Sequence, residues 1–221
     1  NKLEELPPSF TKLRKLTTLN LSNNKLYALP ETFGKLTSLT ELHLDVNLIE
    51  WLPDSMGDLC SLEWFTVTHN KLWALPNTMS AIFGLRRLYC NANQISEFPD
   101  DMDMYQNLND LRIGYNKITA IPESMGDSPT LQTCLKSLWL FNNEMVELPH
   151  NIVKLEALET LRLDNNPMRN PPIDLLASGT ATIMRYCRIR HARLIEIMIR
   201  LRNVHFIIDE DAFTPKTAVL G

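Results

Sequence analysis

The chain has 221 residues, 44% of them hydrophobic, and carries 22 Lys and Arg against 26 Asp and Glu, for a net charge of −4. That length builds a sizeable core, and the acidic balance argues against general nucleic-acid binding. No apolar run is long enough to cross a membrane. The cysteines Cys60, Cys90, Cys134 and Cys187 are too widely spaced to cluster around a metal.

From the N-terminus onward one frame repeats. It first appears whole as Leu16, Leu19, Leu21, Asn24 and Leu26. It recurs as Leu39–Leu42–Leu44–Asn47–Ile49, Leu62–Phe65–Val67–Asn70–Leu72 and Leu85–Leu88–Cys90–Asn93–Ile95. The later copies are Leu108–Leu111–Ile113–Asn116–Ile118, Leu135–Leu138–Leu140–Asn143–Met145 and Leu158–Leu161–Leu163–Asn166–Met168. The Asn positions step by 23 residues, except for a step of 27 between Asn116 and Asn143. Asn1 lies one step before Asn24, with Leu3 and Leu6-Pro7 in frame, so the chain is expected to begin inside a repeat with more repeats upstream.

The alternating L-x-L stretch suits a short strand with one buried face. The Asn stands where the chain turns away, and its carboxamide can donate to and accept from stacked backbones. After each strand comes an apolar residue and a proline: Leu29-Pro30, Leu52-Pro53, Leu75-Pro76, Phe98-Pro99, Ile121-Pro122 and Leu148-Pro149. Proline suits the start of a short helical or 3₁₀ segment on the outer side. One repeat buries about eight side chains at roughly 2 kcal/mol each. Ordering its backbone costs about 1–2 kcal/mol per residue. Only stacking closes both sides of each coil, so a solenoid is required.

The frame resembles the leucine-rich repeat family, most nearly the intracellular L-x-x-L-P subtype with 23-residue coils seen in Ras-linked and cell-polarity scaffolds. The resemblance implies an α/β fold: a curved leucine-rich repeat solenoid with a parallel β-sheet on its concave face. Short helical and 3₁₀ segments would line the convex face. The chain divides into repeats over 1–172, a capping helix region over 173–203, and a short strand with an extended tail over 204–221. The 27-residue step places four extra residues near Gln132–Leu135, read as a convex bulge.

After Pro171-Pro172 the apolar period changes. Ile183, Cys187, Leu194, Met198 and Leu201 recur at helical spacing, which predicts an amphipathic helix from about Thr180 to Arg202 that covers the open end of the core. The helix is basic, through Arg185, Arg188, Arg190, Arg193, Arg200 and Arg202, whereas the repeats carry an acidic excess. Arg185, Arg188 and Arg193 form a second candidate contact. Ile183, Arg188 and Arg193 have the spacing of a calmodulin-binding motif, but Met184 and Ile189 replace its Gln and Gly; solvated arginines on a capping helix explain them better. Val204–Ile208 reads as a short strand.

The variable positions around the strand leucines face the concave side. Trp64, Arg87, Tyr89, Arg112, Tyr115, Trp139 and Phe141 form a band there, and Trp, Tyr and Arg are the types enriched at interface hot spots. The structural alternative is that the aromatics pack along the sheet as cross-strand pairs. Tyr27, Trp51 and Trp73 are assigned to packing between coils. The Asn column (Asn24, Asn47, Asn70, Asn93, Asn116, Asn143 and Asn166) is structural.

Chemistry is hard to find in this chain. The seven glycines are scattered and form no phosphate-cradling loop. His43, Asp45 and His69 could approach one another, but single polar residues on a binding face explain them better than a metal. No cofactor and no enzymatic activity is expected. The reading is a protein-binding scaffold with an intracellular, cytoplasmic setting, since the clustered cysteine caps of secreted relatives are missing. The alternatives are a structural component of a cytoskeletal assembly, contacting neighbours through the basic helix and tail, or the recognition part of a longer enzyme.

Overall fold

The computed structural model describes residues 1–99 and 101–211, with side chains through Arg202. Seven three-residue strands form one parallel sheet in chain order. They are β1 (Thr18–Asn20), β2 (Glu41–His43), β3 (Trp64–Thr66), β4 (Arg87–Tyr89), β5 (Asp110–Arg112), β6 (Ser137–Trp139) and β7 (Thr160–Arg162). The register is in step with the repeat, so Leu19, Leu42, Phe65, Leu88, Leu111, Leu138 and Leu161 stack as one column. All seven are buried.

The opposite wall of the core is convex. Phe33, Met56, Met79, Met102, Met125 and Ile152 occupy the same place in successive coils and are buried. All but Met125 stand on one-turn 3₁₀ segments such as Asp54–Asp58, Asn77–Ala81 and His150–Lys154. Proline stands just before these turns, in extended conformation, and its carbonyl accepts the first bond: Met56 N–H donates to Pro53 O at 3.0 Å. Successive convex turns approach closely. At Gly34, whose N–H donates to Ser55 Oγ, a Cβ would overlap the Ser55 carbonyl oxygen.

The 27-residue coil has room for α-helical turns. It holds α1 (Glu123–Asp127) and α2 (Pro129–Cys134). Ser128 caps α2 by accepting from Leu131 N–H, and Leu131 joins the core. The extra residues therefore lie within a packed turn.

The Asn column bonds each coil to the one before it. Asn47 Oδ1 accepts from Leu26 N–H at 3.0 Å, and its Nδ2 donates to Leu21 O at 3.1 Å and to Leu44 O at 2.9 Å. The same pattern holds at Asn70, Asn93, Asn116, Asn143 and Asn166, and Asn24 accepts from Leu3 N–H. The residue before each Asn has positive φ, including the β-branched Val46 at 56°.

After α3 (Ile173–Leu176), α4 runs over Thr180–Asp211. Thr180 Oγ1 accepts from Leu161 N–H at 2.8 Å, and Ile183, Met184 and Cys187 are buried against the last coil. The helix then turns back along one edge of the solenoid. Tyr186 Oη donates to Asn170 Oδ1, Arg190 pairs with Glu147 at 3.5 Å, and Arg190 and Leu194 line a depression with Ala120, Ile121 and Glu123.

Two expectations for this region need correction. The cap ends after the first helical turns: Met198 is 68% and Leu201 63% exposed, with Ile195, Ile197 and Ile199 also exposed. The helical spacing is right, but the last coil is too short to cover more than its beginning. Val204–Ile208 is helical, not a strand. β-branched residues cost helix only a few tenths of a kcal/mol, and no Gly or Pro stands between Thr180 and Asp211 to stop propagation. The expected tail beyond 211 lies outside the described residues.

Candidate protein-binding face

The strand register decides which variable side chains become neighbours. Trp64 of β3 lies beside Arg87 of β4, and Tyr89 of β4 beside Arg112 of β5. Arg112 in turn lies beside Trp139 of β6, and Trp139 beside Arg162 of β7. A basic residue next to an aromatic one across a 4.8 Å strand spacing has the reach to lie over the ring.

That is what the side chains do. The Arg87 guanidinium stands 4.0 Å above the Trp64 ring. Arg112 is shared, 4.4 Å from the Tyr89 centroid and 4.3 Å from that of Trp139. Arg162 approaches the outer side of Trp139 at 5.8 Å. Aromatic edges close the remaining gaps. His43 meets Trp64 at 4.8 Å and Trp64 meets Tyr89 at 6.2 Å, both T-shaped. Trp139 meets Phe141 at 6.0 Å and Phe141 meets Tyr115 at 5.2 Å. Cation–π contacts of this kind contribute about 0.5–2 kcal/mol each.

Asp110 anchors the centre. It accepts from Arg112 Nε and from Arg112 Nη2, the latter at 2.8 Å, and also from Tyr89 Oη at 2.8 Å. Burial and the neighbouring carboxylate both push the Tyr89 phenol above its ordinary pKa. Its own hydrogen bond to Asp110 holds Arg112 more firmly protonated. Arg87 has no carboxylate within ion-pair distance among the described residues, so its charge is held by the Trp64 face alone. The indole N–H groups of Trp64 and Trp139 are buried and meet no acceptor among the described residues.

Gly114 makes room for one end of the band. A Cβ there would stand 2.7 Å from Phe141 Cε1. The missing side chain lets the ring lie over β5, where Tyr115 packs on its edge.

All seven band residues thus fall on one face and form a connected row. Both readings of the aromatics apply together: they pack along the sheet, and they stay partly open. Trp64, Arg87, Tyr89, Arg112, Trp139 and Phe141 are half-buried, whereas Tyr115 is 57% exposed. His43, Asp110 and Arg162 belong to the row but were not singled out for it. The signal was their place in the same variable columns as the aromatics. Asp45 is occupied elsewhere, accepting from Thr66 Oγ1 and from Thr68 N–H at 2.7 Å. Among the described residues no cluster of three His, Cys, Asp or Glu side chains has metal-binding geometry.

Arg185, Arg188 and Arg193 are exposed on α4 and apart from the band. Ile183 is buried under the last coil, so a calmodulin-like partner would have to dislodge the cap to reach it. Tyr27, Trp51 and Trp73 stand on the rim, exposed to 47%, 45% and 62%, and Trp51 and Trp73 line one shallow depression between adjacent coils.

Parallel three-residue strands on a 23-residue coil, closed by an asparagine column and a convex row of short helical turns, define a leucine-rich repeat solenoid. Residues 1–49 match the family model described as leucine rich repeat. The chain is similar to a leucine-rich repeat protein of Leptospira interrogans, at 27% identity and a TM-score of 0.63, over 80% of this chain and 50% of that one. It is also similar to PEPR1, solved with AtPEP1, at 31% identity and a TM-score of 0.67, over 74% of this chain and 23% of that one. A third similar structure is the plant peptide hormone receptor RGFR1 in complex with RGF2, at 25% identity and a TM-score of 0.67, over 76% of this chain and 27% of that one. The match thus spans half of the Leptospira protein and about a quarter of PEPR1 and of RGFR1. Together these findings support the leucine-rich repeat family, whose fold is typical of protein–protein interaction domains and is generally non-enzymatic. No helix among the described residues is long and apolar enough to cross a membrane.

Proposed function

We propose that the chain is a non-enzymatic interaction scaffold that binds a partner protein on its concave face, through Trp64, Arg87, Tyr89, Arg112, Tyr115, Trp139 and Phe141. The observation that carries this reading is the shared position of Arg112 between Tyr89 and Trp139. Interlocked rings and guanidinium groups are ordered before a partner arrives, so little rotamer entropy remains to be lost on binding. The similar receptor RGFR1, solved with RGF2, supports a polypeptide as the ligand class.

The test is capture of partners from a lysate by the chain and by a Trp64→Ala, Tyr89→Ala, Trp139→Ala variant. The variant should lose its specific partner while unfolding cooperatively. Equal capture by the two proteins would sink the reading.

An intracellular L-x-x-L-P scaffold is the setting this reading favours. The cysteines support it: Cys60, Cys90, Cys134 and Cys187 are all free thiols. A second reading makes the chain a component of a larger assembly, such as a cytoskeletal one, held through α4. The exposed apolar and arginine side chains of α4 between Arg193 and Arg202 favour that reading.

A further inference from the structure

The edge of the solenoid that α4 covers has an open counterpart three coils earlier in the chain. The covered place is lined by Ala120, Ile121, Glu123 and Leu148, and α4 lies against it through Arg190 and Leu194, with Arg190 paired to Glu147. Trp51, Leu52, Asp54 and Leu75 hold the same frame positions in the open place and line a depression of their own, together with Trp73. The repeat thus presents the same backbone and the same floor of buried aliphatic side chains at both places. The walls differ. Trp51 stands where Ala120 does, and Trp73 where Val146 does. Both indoles are exposed. Scattered apolar side chains on a surface need no explanation, but two indoles walling one slot put a large apolar area in water at a single place.

We propose that this slot docks a basic amphipathic helix of a partner protein. An apolar side chain of leucine size seats between Trp51 and Trp73, and a basic side chain one turn away faces Asp54. Three features select this occupant. The first is the chain's own precedent: α4 meets the equivalent place with an arginine and a leucine four residues apart, which one helical turn brings to the same face. The second is continuity. Ala120 lines both the place that α4 covers and the next depression along the edge, where Glu97 and Phe98 stand. The third is charge. Glu31, Asp54 and Glu97 are exposed along this edge with no cation in ion-pair distance among the described residues, whereas Lys71 reaches Glu50 at 4.0 Å. A second copy of this chain does not fit through the same face of α4, because its Arg190 and Leu194 lie against its own solenoid. The edge lies outside the concave row, so this contact stands apart from the one proposed above.

The probe is a peptide of residues 180–202, stapled between positions 188 and 192 on the side away from Arg190 and Leu194, because a free helix of that length is marginal. Fluorescence anisotropy reads its binding to the whole chain. Binding should saturate, and Trp51→Ala and Trp73→Ala should each weaken it about tenfold. Asp54→Lys should weaken it more at low salt than at high salt. A Leu194→Asp peptide should bind the parent about tenfold less well. Both indoles are exposed, so each tryptophan variant should melt with the parent. Four results would overturn the proposal: no saturable binding to the parent; affinity unchanged by both tryptophan substitutions; a polyproline peptide that binds at the indoles in place of the helix; and binding lost instead in the Trp64→Ala, Tyr89→Ala, Trp139→Ala variant, which would place the helix on the concave face.

Discussion

Arg112 is held against Trp139 by a residue two positions before it in its own strand. Asp110 accepts from the guanidinium at 2.8 Å while the same guanidinium lies 4.3 Å from the Trp139 centroid. The carboxylate thus aims a cation at a ring on the next strand and holds the Tyr89 hydroxyl as well. Asp110→Asn removes the charge and keeps the shape. We expect a loss of about 1 kcal/mol in stability, because the pair is partly buried, and about a tenfold weaker grip on the partner. Urea unfolding and titration calorimetry measure the two effects. Unchanged partner affinity would show that Arg112 does not need its clamp.

The asparagine column is graded by burial. Asn116 Oδ1 accepts from Ile95 N–H at 2.9 Å, and its Nδ2 donates to Cys90 O at 3.0 Å, in a buried site. Asn116→Ala strands both backbone groups, at about 1–3 kcal/mol for each unsatisfied group. Asn24 lies in the first complete coil and is only half-buried, so water replaces much of what Asn24→Ala removes. The Asn116→Ala variant should have the lower urea midpoint. Equal midpoints would mean that the column acts through chain geometry alone.

Val46 has φ of 56°, while Asn23, Asn142 and Asn165 occupy the equivalent place in other coils. A β-branched side chain in that region crowds its own backbone, and asparagine tolerates it. Val46 is also exposed, so little burial is lost on replacing it. Val46→Asn should stabilise the protein by about 1 kcal/mol, seen as a higher melting temperature. A lower melting temperature would indicate that the valine contributes packing that outweighs the strain.

The core contains groups that cannot ionise without unfolding. Burial pushes the Cys90 thiol and the Tyr105 phenol well above their ordinary values. Both pKa values are raised in the folded state, so their contribution is complete below the unfolded pKa and declines as pH rises past it. The unfolded thiol titrates near about 8.5 and the phenol near about 10. Stability should be level up to the thiol value and then fall by about 1.4 kcal/mol per pH unit for Cys90, with Tyr105 adding a second slope at higher pH. Burial raises the Cys134 and Cys187 thiols as well, so urea unfolding across this range, compared with Cys90→Ala, isolates the Cys90 share as a shallower fall in the variant. A flat profile in the parent through the first step would contradict the burial argument.

Much of this was legible in the residues. The L-x-L alternation located every strand, and the Leu-Pro pairs located the convex turns. The variable columns named all seven residues of the band, because a strand sends alternate side chains to opposite faces. What escaped was which of those residues touch. Arg112 is one step from both Tyr89 and Trp139 in the register, but its preference for lying between them rests on Asp110, whose role depends on rotamers.

By itself the sequence determined the periodic part of this protein. A repeat read in frame dictates a parallel stack, an in-step register and an asparagine column, because each coil must bury the same positions against its neighbour. Only the tertiary structure decided the parts that the period does not constrain. It joined the concave side chains into a row of rings and guanidinium groups, and it carried α4 from the last coil back along the solenoid edge as far as Leu194, with Ile197 and Leu201 left exposed. Those outcomes depend on side-chain reach and on how much apolar surface the final coil offers. Neither is encoded in any one repeat.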